Sequence, residues 1–314
     1  MAEEEPVRRL GVVPAPFPGE AFVSWVDTVA ASLRVSRAAA LRTLGLQGSA
    51  SFSTHQFHLS PEQLEGLRRR TGLRPAQVER MLFAFYAPTA LPQLVADDGR
   101  VGQGARVSQL WLRRDHSDAC PLCVEASGGR WLLSWRLRWT FLCADHLVYL
   151  VDRCPRCGLR LYWRLEATGA GQRTHCVRPA VRNGRGGRRF GATCGFPVAE
   201  MPALPVGDEE AVHVQRRVQA LLTPADVSYN ETSRRLLQQL VLIIRDVTHR
   251  KTLAGLLDRM EGPVIDAVHE TRGQPWQPPL SWTLENGTPA AVSALVRIAA
   301  RSVRWDTPGA GPPG

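Results

Sequence analysis

The chain has 314 residues, 44% hydrophobic and 22% charged, the make-up of a folded protein of about two domains rather than a disordered one. Its 39 basic residues against 29 acidic ones give a net charge of +10, which favours a polyanionic partner. The only lysine, Lys251, follows His249-Arg250 rather than a glycine, so the G-x-x-x-x-G-K-[ST] phosphate loop, and with it a P-loop ATPase, is excluded.

Residues 1–16 read as a flexible arm, with three glutamates and prolines at 6, 14 and 16. A helical stretch is predicted from Pro18-Gly19-Glu20 to Leu33, its Phe22, Trp25, Val26 and Val29 at offsets of three and four. Ser36 is placed to cap a second helix over Ala38 to Leu44, stopped by Gly45. Ser60-Pro61-Glu62-Gln63 is a third start: cap, proline at the first helical position, glutamine at the box position. That helix ends at Thr71-Gly72. A fourth begins near Pro75, with Val78, Met81, Leu82 and Phe85 on one face. From Leu64 to Tyr86 the two have the shape of a helix-turn-helix, which would offer Arg74, Gln77, Glu79 and Arg80 outward for nucleic-acid contact. Plain packing of two helices in an all-α domain produces the same pattern.

Pro88 to Gly104 reads as a linker closing an N-terminal region of residues 17–104. A cysteine-rich region, 105–200, follows. Residues 201–306 are expected to be helical, over Glu209–Leu222, Thr232–Thr248, Leu253–Met260, Pro263–His269 and Pro289–Val303, with Pro275–Pro279 a connecting loop. In the second of these, Leu236, Leu237, Leu240 and Ile244 form a core-facing stripe. The tail, 307–314, is Pro/Gly-rich and expected to be disordered. No run approaches the ~20 apolar residues of a membrane helix. The acidic start Met1-Ala2-Glu3-Glu4-Glu5 is unlike a secretory signal. A cytoplasmic protein with no membrane contact and reduced cysteines is the expectation.

All seven cysteines fall between Cys120 and Cys194. As ligands they write C-x2-C-x19-C-x2-H (Cys120, Cys123, Cys143, His146) and C-x2-C-x18-C-x17-C (Cys154, Cys157, Cys176, Cys194). A C-x2-C knuckle turns two thiolates onto one metal, and tetrahedral zinc wants four sulfur or nitrogen donors. Two structural Zn2+ ions therefore use every cysteine and one of eight histidines. His175, beside Cys176, offers an alternative donor. A redox pair would need a thioredoxin-like context. No H-x-E precedes either C-x-x-C, so the deaminase signature is absent. His269-Glu270 is followed by Gly273 where a zinc protease has histidine. With both sites loaded, the net charge of +10 falls to about +7.

The remaining charge is uneven. Arg178, Arg182, Arg185, Arg188 and Arg189 crowd the glycine-spaced stretch between Cys176 and Cys194, which we read as a phosphate-contacting loop; a merely solvated insertion is the plainer alternative. Trp131, Trp135 and Trp139 recur every four residues and read as core, while Arg130, Arg136 and Arg138 alternate with them and are expected to face outward.

Taken together, Pro16-Phe17-Pro18-Gly19-Glu20 through Ser24-Trp25 to Leu44-Gly45-Leu46, then Thr71-Gly72-Leu73 with the Val78–Tyr86 segment, resemble the TniQ family. So do Cys120-Pro121-Leu122-Cys123, Trp135-Arg136-Leu137, Cys143-Ala144-Asp145-His146 and Leu150-Val151-Asp152-Arg153-Cys154-Pro155-Arg156-Cys157-Gly158. The resemblance covers residues 16–196; the C-terminal third carries no matching motif. It implies a mainly α fold with small zinc-finger β elements: an N-terminal helix-turn-helix, two central zinc fingers and a helical C-terminal region. It implies a bacterial, non-enzymatic transposition accessory factor that links DNA or a guide-RNA effector complex to an AAA+ ATPase regulator. A homodimer would suit such bridging. The arginine-rich insertion departs from the family pattern and bears on the Cys176–Cys194 pair. A zinc-containing helix-turn-helix transcription regulator is the alternative reading.

Overall fold

The computed structural model of the chain describes residues 9–46, 55–94, 111–113, 116–161, 174–178, 193–249, 260, 262–272 and 287–303. Four helices open the chain: α1 (Phe22–Ser32), α2 (Arg37–Thr43), α3 (Pro61–Thr71) and α4 (Pro75–Glu79). The Ser36 hydroxyl accepts from the Ala39 amide, as an N-cap should. At α3 the full capping box forms: Gln63 N donates to Ser60 Oγ (3.2 Å), and Ser60 N donates to Gln63 Oε1 (2.8 Å). Gly72 ends α3 at φ 76°, a left-handed position that costs a glycine nothing. Phe22, Trp25, Val26 and Val29 of α1 pack with Leu41, Leu44, Leu67, Val78 and Leu82 into one small core. Residues 9–16, read from composition as a loose arm, are partly held against it: Leu10 N donates to the Arg70 carbonyl and Trp25 Nε1 to the Pro14 carbonyl.

The fourth helix is shorter than its apolar spacing predicts. It stops at Glu79, and the chain then turns through an extended Leu82 into a short 3-10 turn, Phe83–Tyr86. Backbone pairing from outside takes the hydrogen bonds a longer helix would use: Phe22 N donates to the Met81 carbonyl, Phe83 N to Gln56 and Ala84 N to Phe57. Residues 88–94, the start of the expected linker, are also packed. Thr89, Ala90, Leu91 and Leu94 are buried, and the Thr89 hydroxyl donates to the Leu222 carbonyl at 2.7 Å.

A second, larger core joins Ala21 and Val23, Phe83–Leu94, the cysteine-bearing segment, and the C-terminal helices α6 (Glu209–Leu222), α7 (Val227–His249), α8 (Gly262–Arg272) and α9 (Pro289–Ser302). Helix α5 (Pro121–Ala126) and a two-stranded antiparallel hairpin, β1 (Leu142–Cys143) and β2 (Val148–Tyr149), belong to the cysteine-bearing segment. The stripe on α7 points inward as expected: Leu237, Leu240 and Ile244 are buried and Leu236 half-buried. Helix α9 runs through the core and carries a buried arginine, Arg297, which pairs with Asp208 and with Glu210 at the start of α6. Arg301 reinforces that clamp at 2.5 Å from Glu210. The expected Leu253–Met260 helix (Met260 apart), the Pro275–Pro279 loop and the tail lie outside the described residues. Among the described residues no helix is long and apolar enough to cross a membrane.

Candidate metal centres

Cys120 precedes α5 and Cys123 lies in its first turn, which Pro121 opens with a φ already suited to a helix. The other two donors come from the hairpin, whose register pairs Leu142 with Tyr149 and Cys143 with Val148. Its tight turn swings His146 back over Cys143, with Leu147 in the left-handed region at φ 52°. The four donor atoms lie within 4.8 Å of one another. His146 Nδ1 is 3.2 Å from Cys123 Sγ, 3.4 Å from Cys143 Sγ and 3.6 Å from Cys120 Sγ; the Cys123 and Cys143 sulfurs are 3.6 Å apart. Disulfide sulfurs would sit about 2.05 Å apart. Metal–sulfur bonds of about 2.3 Å in a tetrahedron give edges near 3.8 Å, close to these separations. Hydrogen bonds with the Cys120 and Cys123 thiols draw the Cys143 pKa well below the ordinary thiol value, while those with Cys120 and Cys143 push that of Cys123 up.

This centre is rooted in the large core. Trp131, Trp135 and Trp139 are buried as expected, Trp131 edge-on to Trp135 and Trp139 against Trp111. From α6, the fully buried carboxamide of Gln215 pins the strand that carries Cys143. Its oxygen accepts from Phe141 N (2.8 Å) and Leu142 N (3.2 Å), and its nitrogen donates to the Trp139 carbonyl (3.1 Å). Gln215 was not singled out from the sequence. Its signal was there: it falls on the apolar stripe of Ala211, Val218 and Leu222, where a polar residue needs buried partners.

The second centre gathers Cys154, Cys157, Cys176 and Cys194, again with donor atoms within 4.8 Å. Cys154 and Cys194 sulfurs are 3.7 Å apart, Cys157 and Cys176 sulfurs 3.9 Å. Gly158, at φ 68°, closes the first knuckle. Residues 174–178 and 193–198 pair side by side through Cys176 N to Phe196 O, Cys194 N to Arg178 O and Val198 N to Thr174 O, which brings the last two cysteines together despite their distance in sequence. Cys176, rather than its neighbour, is thereby brought into the cluster. His175 is exposed, with Nδ1 2.8 Å from the Thr174 hydroxyl, and is not one of the four. Arg156 lies over the Phe196 ring at 5.0 Å and donates to the Cys194 carbonyl. Burial pushes the Cys176 thiol up.

The tryptophan-flanking arginines correct an expectation. Arg136 and Arg138 are buried and Arg130 half-buried, not outward. Arg130 pairs with the buried Glu20 at 2.6 Å and so ties α1 to the first centre. Arg136 donates to the Arg113 carbonyl and to Gln56 Oε1 and lies over the Phe83 ring. Arg113, also buried, donates to the Leu137 carbonyl and pairs with Asp118 at 2.6 Å. The extended segments around the knuckles leave carbonyls that no helix or sheet claims, and guanidinium groups fill that need.

Of the expected nucleic-acid contacts, Arg74 and Arg80 are exposed at either end of α4. Gln77 is half-buried, and its side-chain oxygen accepts from the Arg74 amide at 3.0 Å. Arg178 is half-buried, its Nε donating to the Arg160 carbonyl at 2.5 Å. Arg182, Arg185, Arg188 and Arg189 lie outside the described residues.

Among the described residues two four-donor clusters, each able to hold a metal ion with protein donors alone, are set in a mainly helical frame with one small hairpin. Residues 12–150 match the model of the TniQ family. A segment of this family points to a transposition-associated accessory protein. No curated protein sequence matches the chain.

Proposed function

We propose that the protein is a zinc-stabilised, non-enzymatic adaptor of the bacterial cytoplasm that selects a transposition target and recruits an AAA+ ATPase regulator to it. The observation that carries this reading is the closure of both clusters on a chain with a TniQ-family match: protein supplies all four donors each time, leaving no position for a reacting water. Thiolate-rich sets with an imidazole or a fourth thiolate suit Zn2+, which would hold together segments whose own packing is thin.

In this reading the helix pair of α3 and α4 acts as a helix-turn-helix, and Arg74, Gln77 and Arg80 meet DNA. Arg178, Arg182, Arg185, Arg188 and Arg189 meet phosphates, which fixes position rather than sequence. Neutralising those five is expected to flatten the salt dependence of DNA binding. The target is DNA itself or a guide-RNA effector complex, and a homodimer would present two such surfaces. The test is co-sedimentation of the purified protein with its AAA+ ATPase on DNA, with and without ATP, zinc being measured on the same preparation. Nucleotide-dependent co-assembly is expected. Tight DNA binding that ignores the ATPase would overturn the adaptor role in favour of a transcription regulator.

A further inference from the structure

The two clusters are separated by only Leu147–Arg153 along the chain, and the residues leading into their knuckles are joined to each other. Ala119, immediately before Cys120, exchanges both backbone hydrogen bonds with Val151, at 2.9 and 2.8 Å. Ser117 N donates to the Leu161 carbonyl, and Leu161 N returns to Asp152, two residues before Cys154. Side chains cross the same seam. Arg160 Nη1 is 2.9 Å from His116 Nε2 and 3.7 Å from Asp152. The Arg160 carbonyl accepts from Arg178, two residues beyond Cys176. Ser117, Asp118, Ala119 and Leu161 are at most 1% exposed. Asp118 anchors the seam to Arg113, and through Arg113 to the Leu137 carbonyl of the core.

We infer that this seam makes the two centres one loading unit, so that an ion in either raises the affinity of the other. The inference rests on the reading of both clusters as zinc sites. A buried, close-packed seam does not absorb displacement, so a knuckle that opens on one side drags its hydrogen-bonded neighbour on the other. Such coupling is reciprocal: the factor by which the first ion favours the second equals the factor by which the second favours the first. Arg160 is the positioning residue, since it touches His116 on the first side and Asp152 and Arg178 on the second without being a ligand.

The test is native mass spectrometry of the zinc-loaded full chain with rising chelator. Two independent sites, whatever their affinities, pass through a one-ion population of at least about half of all chains. Coupled loading is expected to keep that population well below half, with two-ion and empty chains dominating. One ion leaving cleanly before the other would overturn the coupling while leaving the zinc reading intact; a chain with no zinc would overturn both. Arg160→Leu is expected to raise the one-ion population, with a loss of roughly tenfold in the coupling factor, and Arg160→Lys to recover part of it. Cobalt spectra, which differ between three-sulfur and four-sulfur sets, identify which site empties first. An Arg160→Leu chain that still binds two ions and releases them as the parent does would exclude the seam as the route.

Discussion

The two centres use the same knuckle and nearly the same donors, yet they are mounted differently. The first stands inside the large core, with α5 and the hairpin as ligand carriers and with three tryptophans and Gln215 behind it. The second hangs from the seam, and its last two cysteines come from two short paired segments, 174–178 and 193–198, with Arg156 and Phe196 as outer support. Ligand chemistry alone therefore does not set what a metal site does for a fold. The apolar surface that depends on it does.

Breaking the comparison is most direct at the ligands. Cys143→Ser should remove the first ion and with it the core, giving an insoluble or protease-sensitive chain with much reduced helical circular dichroism, because structural zinc contributes about 10 kcal/mol or more. Cys194→Ser should empty the second centre and, through the seam, weaken the first centre's hold on its ion, yet in excess zinc keep its helix content, with a fall in stability of about 3 kcal/mol, or about 6–12 °C in Tm. Equal collapse of the two variants would erase the distinction. Gln215→Ala sharpens it on the first side alone: two buried amides lose their acceptor, which should cost about 2 kcal/mol in denaturant unfolding with zinc stoichiometry unchanged.

The smallest effect concerns pH. Burial, helped by Arg160, Arg113, Arg138 and Arg136, pushes His116 down to about 2 from its ordinary 6.5, and burial lowers His55 as well. The unfolded chain therefore binds protons that the folded one refuses. Their contribution to stability is complete above about pH 6.5 and is lost as pH falls below it. His116→Gln, which keeps an acceptor for Arg160, should remove about one proton from the slope of stability against pH between 6 and 5. An unchanged slope would place that histidine outside the buried seam.

Much of this was legible in the residues. Ser60-Pro61-Glu62-Gln63 announced a capping box that forms bond for bond, the Glu209–Leu222 helix has the bounds its pattern predicts, and both ligand sets gather as their spacing requires. These are local signals, or signals fixed by a donor count. What escaped depends on distant partners. The fourth helix ends early because Phe22, Gln56 and Phe57 claim backbone groups around Met81–Ala84. Arg136 and Arg138 read as surface because arginine usually is, and only the carbonyls and the Phe83 ring that meet Arg136 reveal otherwise. The seam, too, is built of backbone pairings that carry no residue signature.

The family match ends at residue 150, yet the apolar core does not. Gln215 and the helices after it close a surface that the matched segment leaves open. Replacing the C-terminal third of this chain would therefore also remove the contacts that Gln215 makes with the hairpin strand. A grafted replacement would have to supply its own acceptor for the Phe141 and Leu142 amides and a donor for the Trp139 carbonyl, or leave those buried groups unpaired.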